Sequence, residues 1–307
     1  MSRKSNLQHE FLQELKKETK FGEKKHEAKQ MARAEAEKNK DKYKQVKGIY
    51  SYKTYKDYSK SLKSFTNYVV KNHTEVKTME QARAYIPEYI NDLRSRELSE
   101  WTIHMYAYSL RSAYHCEIED LNIKLGTRSR ADVTRCRDGE DNRYRESERY
   151  KETVDMIIAT GCRRSEFLRL RSEDFREKTD KDGNKTGELE VYKRGKNGIE
   201  RWCLVNPNYT DYVRSFLETK ETIPIGSENR LFQKSDIPSK LPVHDLRADY
   251  ARDLYRYYEA NGYGNGEMYH CRGELKGIHF DKGILEKVSF DLQHSRDNVV
   301  VEYLYKM

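Results

Sequence analysis

Between residues 174 and 205 the chain carries a pattern that only one kind of backbone rewards. Phe175-Arg-Glu-Lys is followed by a turn at Asp180-Lys-Asp-Gly-Asn184, then by Glu188-Leu-Glu-Val-Tyr-Lys-Arg194, Gly195-Lys-Asn-Gly198 and Ile199-Glu-Arg-Trp-Cys-Leu-Val205. Apolar and polar side chains alternate, as they must where a pleated strand buries one face. Glycine-containing turns separate the runs, so the spacing predicts a three-stranded antiparallel meander. Almost everything else reads as helix or loop, which makes the expected fold mainly α with a small antiparallel β meander.

The helices announce themselves by periodicity. Near Gly48 a packed region begins, with Tyr55, Tyr58, Leu62 and Phe65 at helical spacing. Further helices are expected over 79–96 and 100–115, the second with Ser99 as N-cap. A helix from Glu148, centred on Val154-Asp-Met-Ile-Ile158, ends at Thr160-Gly161. Another covers 209–219, and Pro224, Pro238 and Pro242 punctuate the loop after it. From about Asp245 a helix places Leu246, Tyr250, Leu254, Tyr257 and Tyr258 on one face.

Residues 9–47 have helix-forming composition but few large apolar side chains after Phe21. They read as a solvated helix or partly disordered tail; a DNA-contacting arm and a helix docking on another subunit are the alternatives. Residues 121–147, rich in Arg, Asp and Gly, read as an exposed linker. The expected organisation is a basic helical extension (1–47), a helical domain (48–130) and a larger domain (131–307) with a glycine-rich insertion near 259–283.

The formal net charge is +8 and the pI near 9.0, which points to a polyanionic partner, because Lys and Arg that neutralise phosphates release condensed counterions. The excess is uneven: 14 Lys+Arg against 8 Asp+Glu in residues 1–47, 13 against 10 in 48–130, and 32 against 33 in the rest. The C-terminal half is therefore not basic in bulk, and any DNA contacts there must come from placed residues. Five cysteines show no C-x-x-C pair and no zinc spacing, and fit reduced thiols of the cytoplasm. No apolar run of membrane-spanning length is present.

Three motif-like stretches lead nowhere. The Asp180 turn lacks the glycine and glutamate of a calcium loop, with Lys185 and Val191 in those places. Gly195-Lys-Asn-Gly lacks phosphate-loop spacing. His270, Cys271 and His279 fit no standard zinc finger. No metal or other cofactor is expected.

Three further segments stand in order along the chain. The first is Ala159-Thr-Gly-Cys-Arg163-Arg-Ser-Glu166-Phe-Leu-Arg-Leu170, the second Val243-His244-Asp-Leu-Arg247, and the third Leu292-Gln-His294 with Tyr303 nine residues later. Together they resemble the Thr-Gly-x-Arg-x-x-Glu, His-x-x-Arg and Leu-Gly-His…Tyr boxes of the tyrosine recombinases, the phage integrase family. The resemblance implies a helical core-binding domain followed by a mixed α/β catalytic domain, the two clamping a DNA duplex.

It also implies roles. Tyr303 would attack a phosphodiester to give a 3′-phosphotyrosyl link, with Tyr305 as its rival. Arg163 and Arg247 would hold the non-bridging oxygens, a task that suits a guanidinium fork. His244 and His294 would donate to or orient around the phosphate. Lys196, in the hairpin turn, would protonate the leaving oxygen, with Lys193, Lys185 and Arg194 competing for that part. Glu166 would hold a neighbouring basic side chain.

The pattern departs from the family's at Gln293, where glycine is usual, and at Ala248. Only four residues follow Tyr303, too few to reach a neighbouring subunit. The function implied is a site-specific recombinase, an integrase of a mobile element, acting as a homotetramer on double-stranded DNA with an accessory DNA-bending or excision factor as a further partner. A type IB topoisomerase and a non-catalytic DNA-binding accessory protein are the alternatives.

Overall fold

The computed structural model describes residues 3–43, 46–129, 142–195, 200–294 and 296–307. The chain divides into two compact units, Met1–Thr134 and Arg135–Met307.

In the first unit, helices α1 (Arg3–Lys17), α2 (Lys25–Lys38), α3 (Tyr52–Asn72), α4 (Met79–Ala82), α5 (Ile86–Ser95) and α6 (Glu100–Ala113) follow in order. Leu7, Phe11 and Leu15 recur every fourth residue, one face of a helix, and all three are fully buried with Leu62, Phe65 and Val69 of α3 and Ile103 and Leu110 of α6. Phe11 meets Phe65 edge to face at 5.6 Å and Tyr114 at 5.5 Å.

The solvated reading of the N-terminal stretch therefore fails for α1. It began at residue 9 and missed Leu7, the start of the stripe. It holds for α2, which buries no residue and leaves Met31 exposed.

The helix expected over 79–96 is broken. α4 gives way to a 3₁₀ turn at Arg83–Tyr85, and α5 restarts with Pro87 in its first turn. A ring without an N–H is tolerated there and would remove a hydrogen bond from a helix interior. Ser99 caps α6 as expected, accepting from the Thr102 N–H. The segment after α6 is less free than the linker reading implies: Arg94 donates to the Lys124 carbonyl, Trp101 to that of Ser129, and the Gly126 N–H to Glu100. Residues 130–141 of that linker lie outside the described residues.

The second unit starts with α7 (Lys151–Thr160) and α8 (Arg164–Phe167), then the expected meander of β1 (Phe175–Thr179), β2 (Lys185–Arg194) and β3 (Glu200–Leu204) in the order β1-β2-β3. Phe175 pairs with Val191, and Tyr192 with Trp202. α9 (Thr210–Thr219) follows. The proline-punctuated loop contains a small hairpin, β4 (Ile223–Ile225) with β5 (Glu228–Arg230), in which Pro224 is tolerated because the sheet has only two strands.

α10 (Val243–Ala260) is the pivot of this unit. Leu246 belongs to the core formed with α7, Phe167 and Phe232, while Tyr250, Leu254 and Tyr258 belong to the core formed with the C-terminal elements. Those elements are the hairpin of β6 (Met268–His270) and β7 (His279–Asp281), then α11 (Lys282–Asp291) and the short α12 (Val301–Leu304). The stretch read as an insertion thus holds a hairpin whose strand β7 leads straight into α11, capped by Asp281. Among the described residues no helix is long and apolar enough to cross a membrane.

Candidate active site

The site begins where α7 ends. Gly161 caps that helix with φ +60, and a Cβ there would lie 2.3 Å from a ring carbon of Tyr250. Only glycine fits, because the conformation and the close approach each exclude a side chain. Turning the chain this tightly against α10 brings the Gly161 carbonyl to the Arg247 guanidinium, which donates to it, and starts α8 with Arg163 as its N-cap. Burial pushes the intervening Cys162 thiol up to about 11, so it is an inert core residue.

Glu166 sits one helical turn on, almost wholly buried. Its carboxylate accepts the Arg163 backbone N–H at 2.7 Å and the Arg163 Nη1 at 2.5 Å, and lies 3.7 Å from Arg247 Nη1. Burial alone would raise this carboxyl; Arg247 and Arg163 outweigh it and hold the group below its ordinary range. One acid thus neutralises part of two guanidinium charges and fixes their separation.

Arg247 is fully buried and Arg163 partly exposed. Both donate Nη2 to a single acceptor, the Leu292 carbonyl, at 3.2 Å from Arg247 and 3.4 Å from Arg163. Residues far apart in the sequence therefore meet on the peptide between Leu292 and Gln293, one residue before His294. Arg247 Nε has no partner among the described residues. Three residues before Arg247, one turn back on α10, His244 is exposed near the helix N-terminus.

The C-terminal segment closes the arrangement. The His294 and Tyr303 rings lie 5.6 Å apart, and the Arg247 guanidinium carbon is 5.9 Å from the centre of the Tyr303 ring. Tyr303 is buried, at 5% exposure, and its carbonyl accepts from Arg252. Tyr305 is half-buried on the turn that ends α12. Arg163, Glu166, Arg247, His294 and Tyr303 are thus assembled in one place, with His244 a turn away on α10.

The hairpin candidates sort differently. Lys196 lies outside the described residues. Lys193 is 1% exposed, and its Nζ donates to the Asp291 carbonyl at 2.7 Å and lies over the Tyr250 ring. Arg194 forks onto Asp174 with both bonds at 2.6 Å. Lys185 begins β2, and at roughly 3.4 Å per residue it stands about 30 Å from Arg194 at the strand's other end.

Two features gave no sequence signal. Asp291, buried and with its carboxyl pushed above the usual range chiefly by that burial, accepts from the Tyr258 hydroxyl at 2.6 Å and the Leu204 N–H at 2.8 Å. Arg164, next to Arg163 in the first box, ties down the proline loop instead, donating to the carbonyls of Ile237, Pro238 and Leu241. Among the described residues no group of three or more His, Cys, Asp or Glu side chains could hold a metal ion.

No family model and no curated protein matches the chain. Solved structures do resemble it at low identity. A XerH site-specific recombinase bound to palindromic difH substrate, a post-cleavage complex, is 16% identical with a TM-score of 0.49 over 81% of this chain and 75% of that one. The Tn1549 transposon integrase in complex with circular intermediate DNA is 13% identical with a TM-score of 0.41 over 90% of this chain and 94% of that one. XerA recombinase is 15% identical with a TM-score of 0.31 over 88% and 90%. Each of these three proteins is a recombinase or an integrase.

Proposed function

We propose that the second unit is a DNA strand transferase of the tyrosine recombinase type, the enzyme of a mobile element's integration or excision, working as a tetramer on two duplexes. The observation that carries this reading is the meeting of Arg163 and Arg247 on the Leu292 carbonyl beside His294 and Tyr303. Paired guanidinium groups next to a phenol and an imidazole form a constellation suited to a phosphodiester, since the planar guanidinium fork matches the geometry of phosphate oxygens.

In this reading the Tyr303 oxygen attacks phosphorus and the bond to the 5′-oxygen breaks, leaving a 3′-phosphotyrosyl link and a free 5′-hydroxyl. The phenol gives its proton to water as the new P–O bond forms, and the leaving oxygen takes a proton from Lys196. Arg163 and Arg247 bear the charge on the non-bridging oxygens, and His244 and His294 donate hydrogen bonds to them. Glu166 keeps the arginines apart and oriented. Attack by a 5′-hydroxyl from another strand reverses the sequence, so bond energy is conserved and no nucleotide cofactor enters.

Arg247 is covered in this conformation, with Tyr303 packed against it. Engaging a phosphate therefore requires the Tyr303 segment to swing away from the guanidinium, and the four-residue α12 is a light element to displace.

The test is covalent capture. The protein is incubated with a library of nicked duplexes of randomised sequence, and complexes that survive detergent are isolated and sequenced. The reading requires a detergent-stable adduct that Tyr303→Phe abolishes. Absence of any adduct with the wild-type chain, or persistence of the adduct in Tyr303→Phe, would overturn it. Relaxation of a plasmid lacking the captured sequence, with no recombinant product, would redirect it to a topoisomerase.

A further inference from the structure

Gln293 stands in a conformation that suits glycine. Its φ is +54, in the left-handed region, and the residue is 5% exposed. Two features make it an expensive choice: a side chain with a Cβ is disfavoured in that backbone conformation, and the buried amide oxygen Oε1 finds no partner among the described residues. Glycine would remove both. What the amide gains is one bond: Nε2 donates to the Lys193 carbonyl at 2.6 Å.

That bond is half of a double tie. Lys193 returns it, its buried Nζ donating to the Asp291 carbonyl at 2.7 Å. Strand β2 is thereby fastened to the backbone on both sides of Leu292, and the Leu292 carbonyl is the acceptor shared by Arg163 and Arg247. The same strand forms a hairpin with β3, Lys193 pairing with Arg201 and Arg194 with Glu200. Observed strain at a backbone position, kept by a specific contact, is the kind of outlier from which a role is argued.

We propose that Gln293 is a positioning residue: with Lys193 it locks β2 to the peptide that aims both arginines, so that the hairpin and the arginine pair move as one body. The proposal rests on the phosphate-transfer reading above. It follows that pulling the hairpin away would slacken the arginine pair, and that a phosphate between the arginines would steady the hairpin.

The experiment uses the full chain and inorganic phosphate, read as the phosphate-dependent rise in Tm. Arg163→Ala serves as the reference in which the pair has lost an arm. Gln293→Gly is expected to melt, without phosphate, at the wild-type temperature or above, since it relieves the backbone. Its apparent affinity for phosphate should nevertheless fall about 3- to 10-fold, the worth of one lost hydrogen bond. Gln293→Glu, which keeps the volume but turns an acceptor toward the Lys193 carbonyl, should lose at least as much.

Wild-type affinity in a folded Gln293→Gly variant, or a variant that fails to fold, would overturn the proposal. If instead the wild type responds no more strongly than Arg163→Ala, the arginine pair is not a phosphate site and the reading beneath the proposal falls with it.

Discussion

Arg247 lies under Tyr303, its guanidinium carbon 5.9 Å from the centre of the phenol ring, in a place where neither the arginine nor the tyrosine meets much solvent. A charge so enclosed must be compensated locally, and Glu166, the Gly161 carbonyl and the Leu292 carbonyl do so.

Removing the charge should therefore cost fold stability as well as any activity. Arg247→Met leaves the Glu166 carboxylate buried beside Arg163 alone, takes the guanidinium donor from the Gly161 carbonyl and leaves the Leu292 carbonyl to Arg163. The expected loss is about 3–5 kcal/mol in urea denaturation. Tyr303→Phe, which keeps the ring against Arg247, should change stability by less than about 1 kcal/mol. A similar, small loss in both variants would show that the arginine is not the electrostatic centre of the C-terminal core.

Glu166 gives the site a pH signature. Its carboxyl is held below the ordinary value of 4.5 in the folded chain, because Arg247 and Arg163 outweigh the burial that would raise it. A depressed acid stabilises the fold in its charged form, so the contribution is complete above about pH 4.5 and is lost as pH falls through the folded-state value beneath it. The stability difference between wild type and Glu166→Gln should be constant from neutral pH to about 5 and should shrink on further acidification. Denaturation curves at stepped pH measure it, and a gap that widens with acid would contradict the assignment.

Gly161 offers a purely steric test. Alanine there meets the left-handed penalty of about 1–2 kcal/mol and a clash with the Tyr250 ring. Gly161→Ala should be destabilised by roughly 2–4 kcal/mol. Gly183, in the exposed turn before β2, also has positive φ but nothing near its missing Cβ, so Gly183→Ala isolates the backbone share of that loss.

Much of this was readable from sequence wherever a pattern is enforced locally. Strand alternation over 188–205 reports a sheet with one buried face, and Gly161 before Arg163 reports a helix that must stop. The arginine boxes could be matched only as residues in order. Their convergence on the Leu292 carbonyl depends on how α7, α10 and α11 pack, which no local pattern encodes. Lys193 shows the limit well: in strand β2 it reads as one more charged residue near a turn, yet it is buried because a carbonyl and an aromatic ring from distant elements meet it there. The break before α5 was legible in Pro87, and a helix carried through it ignored the missing N–H.

The N-terminal helices test the same lesson in the other unit. α1 and α2 have similar, highly charged compositions, and only the positions of the apolar residues separate them: Leu7, Phe11 and Leu15 fall on one stripe, whereas Met31 stands alone. Composition would predict similar costs for truncating either helix's largest apolar side chain; burial predicts opposite ones. Phe11→Ala should cost about 3–5 kcal/mol, since it opens a cavity between Phe65 and Tyr114. Met31→Ala, on a helix with no buried residue, should stay within about 0.5 kcal/mol. The hydrophilic end of α1 has its own fastening, His115 standing between Glu18 at 2.9 Å and Glu14 at 3.0 Å. His115→Ala should accordingly raise amide exchange along α1 while leaving α3 and α6 protected. Equal costs for Phe11→Ala and Met31→Ala would mean that α1 is a surface arm after all, and that the stripe of Leu7, Phe11 and Leu15 does not organise the core of this unit.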